Sequence, residues 1–82
     1  MEYNEIYAKR IKEICSKRNL SIRQLAAMSG LRQSTVNNIM HGQSKSPGTV
    51  TIHKIANALN MTLSEFVNFK ELNEYSFDEN DQ

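Results

Sequence analysis

The sequence predicts an all-α fold, a compact bundle of five helices, and three observations carry that prediction. Apolar residues recur at helical spacing in several short runs. Glycine, asparagine and one proline separate the runs. Two runs open on a capping box, in which a Ser or Thr side chain and a Gln or Glu three residues later satisfy each other's free helix-end N–H groups. At 82 residues the chain allows one domain. A chain near this size buries only about 60–65% of its unfolded surface, which leaves little core to spare for a catalytic cavity.

The first helix is expected from Asn4 to about Lys17, with Ile11, Ile14, Cys15 and Arg18 at i, i+3, i+4 and i+7 and Tyr7 or Ala8 one turn earlier. Lys17-Arg18-Asn19 ends it, with positive charge suited to the C-terminal dipole. Ser21 and Gln24 form the first capping box, and Leu20 with Leu25 a hydrophobic staple, so the second helix runs from there to about Met28. Gly30 in Ser29-Gly30-Leu31 is suited to a left-handed turn at a helix end. The third helix starts at Arg32 or Gln33 and stops at His41-Gly42. A polar loop, Gln43 to Gly48, follows, and Thr49 is expected to cap a fourth helix reaching about Leu59 with Ile52, Ile55, Ala56 and Leu59 as its core stripe. Thr62 with Glu65 is the second capping box and Met61 with Phe66 the second staple, so the fifth helix starts at Leu63.

The third helix carries the chemistry. At 100° per residue Gln33, Ser34, Asn37, Asn38 and His41 share an arc of about 140°, with Val36, Ile39 and Met40 opposite. The outer face holds hydrogen-bonding groups without formal charge. Its two adjacent asparagines are mediocre helix formers that propensity did not select. An amide offers a donor and an acceptor side by side, which matches the N6/N7 edge of adenine in the major groove.

Charge points to the same class of partner. Residues 1–70 hold all ten basic residues and only Glu2, Glu5, Glu13 and Glu65 as acids, a balance of +6, whereas residues 71–82 hold five acids and no base. No acid lies between Glu13 and Glu65, while Lys17, Arg18, Arg23, Arg32, Lys45 and Lys54 do. A merely solvated surface would mix both signs; a positive body with a negative tail fits a polyanion. Cys15 is the single cysteine and has no internal disulfide partner. His41 and His53 belong to different helices without clustered Cys, Asp or Glu, so neither a metal nor catalysis is expected and no cofactor is implied. No apolar run reaches membrane-spanning length and no secretory signal is seen, so a cytoplasmic protein is expected.

Residues 21–42 resemble the helix-turn-helix of the Cro/phage-repressor (Xre-like) family through Leu25-Ala26, Gly30, Val36, Ile39 and Gly42, and the likeness extends from about Ile6 to Phe66. The resemblance implies a five-helix, lambda-repressor-like DNA-binding domain over residues 1–69, with the helix-turn-helix at helices two and three and two copies on a palindromic double-stranded operator. Gln33, Ser34, Asn37 and Asn38 would then read bases, and Ser21, Arg23, Arg32, His41, Ser44 and Lys45 would contact phosphates. Two departures stand out. Cys15 and Met40 replace an Arg–Glu pair found in many relatives, so an apolar contact is expected there. Ile22 stands where relatives often carry a phosphate-binding Gln, leaving Arg23 or the backbone N–H groups at that helix start for the task.

Residues 70–82 read as an acidic tail, disordered or partner-binding, with Tyr75 and Phe77 as its large apolar anchors. The expected function is a sequence-specific transcriptional regulator, a repressor rather than an activator. One alternative is an antitoxin whose C-terminal segment binds a toxin; another is a DNA-free adaptor.

Overall fold

Seven helices are formed by the described residues, 2–42 and 47–80, of the computed structural model: α1 (Tyr3–Arg18), α2 (Ile22–Ser29), α3 (Gln33–Met40), α4 (Thr49–Ala58), α5 (Leu63–Val67), α6 (Lys70–Asn73) and α7 (Phe77–Asn80). The first five are the expected bundle, and no strand occurs among the described residues.

Three of the helices end in the same way, and the side chains explain why. Asn19, Gly30 and Asn60 adopt left-handed backbone at φ 56°, 71° and 59°. The apolar residue after each then closes the helix with its N–H: Leu20 onto the Cys15 carbonyl at 2.9 Å, Leu31 onto Ala26 at 3.0 Å, and Met61 onto Ala56 at 2.9 Å. This six-to-one bond is the Schellman closure, with Gly or Asn at the turning residue and an apolar side chain folded back on the helix. Leu20, Leu31 and Met61 all pack against the core.

Capping boxes restart the chain after two of these turns. Ser21 Oγ accepts from the Gln24 N–H at 3.1 Å while Gln24 Oε1 accepts from the Ser21 N–H at 2.9 Å. Thr62 and Glu65 repeat the exchange at 3.0 and 2.8 Å. Loss of such a cap costs about 1 kcal/mol. The α1–α2 and α4–α5 corners are thus built on one local plan, Asn-Leu-Ser-Ile-Arg-Gln-Leu (19–25) and Asn-Met-Thr-Leu-Ser-Glu-Phe (60–66).

The start of α4 differs from expectation. Its N-cap is Gly48, not Thr49; the Gly48 carbonyl accepts from Ile52, and Thr49 is already the first helical residue. The extended backbone that a cap residue needs is taken one position earlier, in the loop after Pro47.

The core joins Tyr7, Ile11, Ile14, Cys15, Leu25, Ala26, Val36, Ile39, Met40, Ile52, Ile55, Ala56, Leu59 and Phe66. Cys15 and Met40 are both buried in it, at 7% and 6% exposure, in the place where the family resemblance implies an ion pair. Helix α1 packs on α3, α2 packs on both α3 and α4, and α4 packs on α5. Ser29 is the buried polar residue of the helix-turn-helix, and its hydroxyl donates to the Leu25 and Ala26 carbonyls, so its burial leaves nothing unsatisfied.

Charged side chains on α1 hold the ends of the later helices. Arg10 donates to the carbonyls of Phe66 (3.0 Å) and Glu65 (3.1 Å), and its guanidinium lies 4.9 Å from the Phe69 ring centroid. Arg18 donates to the Leu59 carbonyl at the end of α4. Arg18 stands in the last turn of α1, as expected for the dipole role, and in addition binds the end of a neighbouring helix.

Residues 70–80 differ from a disordered tail. Helix α6 lies against α1, Lys9 pairs with Glu71, and the rings of Tyr75 and Phe77 meet Tyr3 at centroid distances of 4.9 and 5.7 Å. Composition underestimates this segment because its few apolar anchors all reach one aromatic cluster, which Tyr7 and Phe69 extend.

Candidate nucleic-acid interface

The interface is built around α3, whose orientation follows from the turn before it and the core beneath it. Gly30 turns the chain without steric cost; a Cβ there would meet nothing within 4 Å, so only its positive φ demands glycine. Arg32 is then the N-cap of α3 in extended conformation, and the helix begins at Gln33. Val36, Ile39 and Met40 bury one face against α1 and α2.

The opposite face is open. Gln33, Ser34 and Asn38 are exposed and Asn37 half-buried, and no hydrogen bond to a described residue engages their side chains. The structure therefore gathers the four expected base readers on one helix face with their donors and acceptors directed away from the core. His41 is exposed as the C-cap residue of α3.

Of the expected phosphate contacts, Arg23 and Arg32 are exposed near the starts of α2 and α3 and make no ion pair with a described residue. Ser21 is exposed too, but its oxygen already accepts the capping bond, which leaves its O–H to donate. Ile22 is half-buried against the core, so the departure from Gln at this position serves packing. Ser44 and Lys45 lie outside the described residues.

Electrostatics narrows the basic surface. Lys9, Arg10 and Arg18 have internal partners: apart from the i,i+4 neighbour Glu13 of Lys9, these are Glu71, the Glu65 and Phe66 carbonyls and the Leu59 carbonyl, each more than 40 residues away, where no spacing rule in the sequence reveals them. The Lys9 ammonium is held above its ordinary pKa by its bond to Glu71, and the Glu71 carboxyl below its own by the same bond. Burial pushes the Cys15 thiol up against the opposing pull of Arg18, which disfavours a reactive thiolate. Among the described residues no group of three or more His, Cys, Asp or Glu could hold a metal ion, and no helix is long and apolar enough to cross a membrane.

Sequence reasoning also missed Asn4, whose side-chain amide donates to the carbonyl of Gly42 where the chain leaves α3. A lone asparagine in the first turn of a helix carries no signal for a contact 38 residues away.

This arrangement of two short helices about a tight glycine turn, the second with an open amide face, is a helix-turn-helix in a DNA-binding domain. Residues 10–72 match the Cro/C1-type HTH DNA-binding domain, and the chain belongs to that family, one of DNA-binding regulators rather than enzymes. Among solved structures the chain is similar to the crystal structure of the prophage Lp1 protein 11, with a TM-score of 0.80 and 35% identity over 90% of this chain and 99% of that one. No curated protein matches.

Proposed function

We propose that the protein is a sequence-specific repressor that binds a palindromic double-stranded DNA operator as a homodimer, each copy reading the major groove with Gln33, Ser34, Asn37 and Asn38 of α3. The observation that carries the reading is the unengaged amide face of α3, set on a buried apolar face in a chain of this family. Arg23 and Arg32, the Ser21 hydroxyl, His41, Ser44 and Lys45 supply the phosphate contacts that set orientation and non-specific affinity.

Magnitudes favour two copies. Charge alone supplies non-specific binding of ~10⁻⁴–10⁻⁶ M, and a specific site needs about 4–10 kcal/mol more. A good bidentate base contact adds roughly 1–3 kcal/mol, so one α3 reaches only the lower part of that range. Two copies in successive major-groove turns, about 34 Å apart, reach all of it. Repression then follows from occupancy that blocks polymerase.

The antitoxin alternative assigns the C-terminal segment to a toxin, yet Glu71, Tyr75 and Phe77 already engage α1. Sedimentation with a selected duplex tests the reading. Two protomers per duplex, with Asn37→Ala and Asn38→Ala relaxing sequence preference more than binding to random DNA, is the expected outcome. One protomer per duplex, or variants that keep the preference, contradicts it.

A further inference from the structure

Helix α3 has eight residues and only Val36, Ile39 and Met40 beneath it. At 1.5 Å per residue it is about 12 Å long, so a 10° tilt about its start moves its far end by about 2 Å. A bidentate base contact does not survive such a shift, since hydrogen-bond distances span only about 2.7–3.2 Å. The exit of α3 therefore has to be held, and it is held from outside the helix-turn-helix.

Gly42 leaves α3 at φ 69° against the first turn of α1: a Cβ there would meet Asn4 Nδ2 at 3.6 Å and Glu5 Cγ at 4.0 Å. Asn4 donates its amide to the Gly42 carbonyl. The turn that carries Asn4 is itself fixed at both ends. Glu5 Oε1 accepts from the Glu2 N–H at 3.0 Å, and the Tyr3 ring is packed by Tyr75 at 4.9 Å and Phe77 at 5.7 Å. A continuous line of contact thus runs from the C-terminal segment through Tyr3 and Asn4 to the end of the recognition helix.

We infer that Asn4 is a positioning residue for DNA recognition, and that the aromatic C-terminal segment, by packing on Tyr3, keeps Asn4 in place. The inference rests on the proposed reading of α3 as the DNA reader. It gives the segment two opposing effects. Its acids Glu74 and Asp78 repel phosphate, while its rings support the geometry that reads bases. Aromatic truncation and charge neutralisation should therefore change operator affinity in opposite directions.

The test compares binding to the selected operator and to a random duplex for the wild type, Asn4→Ala, Asn4→Gln, the pair Tyr75→Ala with Phe77→Ala, and all three alanine changes together, with helical content checked by circular dichroism. Asn4→Ala should lower operator affinity about five- to tenfold, the effect of one lost hydrogen bond, with random-duplex binding and helical content unchanged. Asn4→Gln, which keeps the donor, should recover most of that loss. The aromatic pair should lower operator affinity too, and the combined variant should be no weaker than the worse of its parents, because both act through one contact line.

The inference is overturned by an Asn4→Ala protein with wild-type operator affinity, by losses that fall equally on operator and random duplex, by Asn4→Gln failing to recover, by strictly additive losses, or by an aromatic pair that binds the operator more tightly. A wild type that selects no site removes the reading of α3 and the inference together. An unaltered Asn4→Ala beside a selective wild type removes the inference alone.

Discussion

The helix-turn-helix and the C-terminal segment are held in place by different kinds of interaction. Residues 21–42 carry their own instructions: a capping box starts α2, a left-handed glycine stops it, and an apolar stripe seats α3. Residues 68–80 carry almost none. Their helices are four residues long, and their position is set by α1 through the Lys9–Glu71 pair, the Arg10 bonds just before them and the Tyr3 cluster. Residues 21–42 take their form from near neighbours, with the exit of α3 tied to α1 by Asn4, whereas residues 68–80 take their position from tertiary ties.

Two phenylalanines draw the sharpest line between these regions. Phe66 is fully buried at 0% exposure and Phe77 is 61% exposed. Phe66→Ala should cost about 3–5 kcal/mol in urea denaturation, and Phe77→Ala under about 1 kcal/mol. Equal costs would mean that the C-terminal segment belongs to the core. Two of the three basic ties on α1, Arg10 and Lys9, come next. Arg10→Met leaves the Glu65 and Phe66 carbonyls without their charged donor and should destabilise by about 1–2 kcal/mol. Lys9→Met should leave the melting temperature unchanged while loosening the segment, read as increased amide exchange over residues 70–75. An exposed pair of this kind adds little stability.

Gly30→Ala should cost about 1 kcal/mol, since the left-handed φ of 71° is its only steric demand. A loss several times larger would mean that the turn meets something else in the folded protein.

The smallest effect is on pH dependence. Glu65 sits below the ordinary carboxylate range because the backbone and then the side chain of Thr62 bond its charged form, and Glu71 because Lys9 does. A depressed folded pKa contributes stability above the unfolded value and loses it as pH falls through the folded one, so both ties should weaken below the usual range for Glu. At the alkaline end, burial first and then the neighbouring Tyr3 push the Tyr7 hydroxyl up to about 12. Its contribution is complete below the unfolded value near 10 and is lost as pH rises through 12. Ultraviolet titration should show a tyrosine ionising near 12, and Tyr7→Phe should remove that step.

What was legible in the sequence follows the same division. Ser21, Gln24, Gly30, Thr62 and Glu65 act on their nearest neighbours, so their roles could be read from spacing. So could the outward face of α3, because Val36, Ile39 and Met40 leave it only one orientation. The ties made by Asn4, Arg10 and Arg18 span 38 to 56 residues and end on backbone carbonyls, which have no sequence signature. The C-terminal segment shows the same limit: its composition carries no sign of the Lys9 and Tyr3 contacts that position it on α1.

The central claim is that α3 reads sequence. The most direct measurement is selection of bound sites from a random DNA library at two salt concentrations, with the wild type and with Gln33→Ala. The account predicts a two-fold symmetric consensus that persists at the higher salt, with half-sites about 34 Å apart, and a preference that relaxes in the variant. Binding that selects no sequence and vanishes with salt, or a consensus untouched by Gln33→Ala, would contradict it.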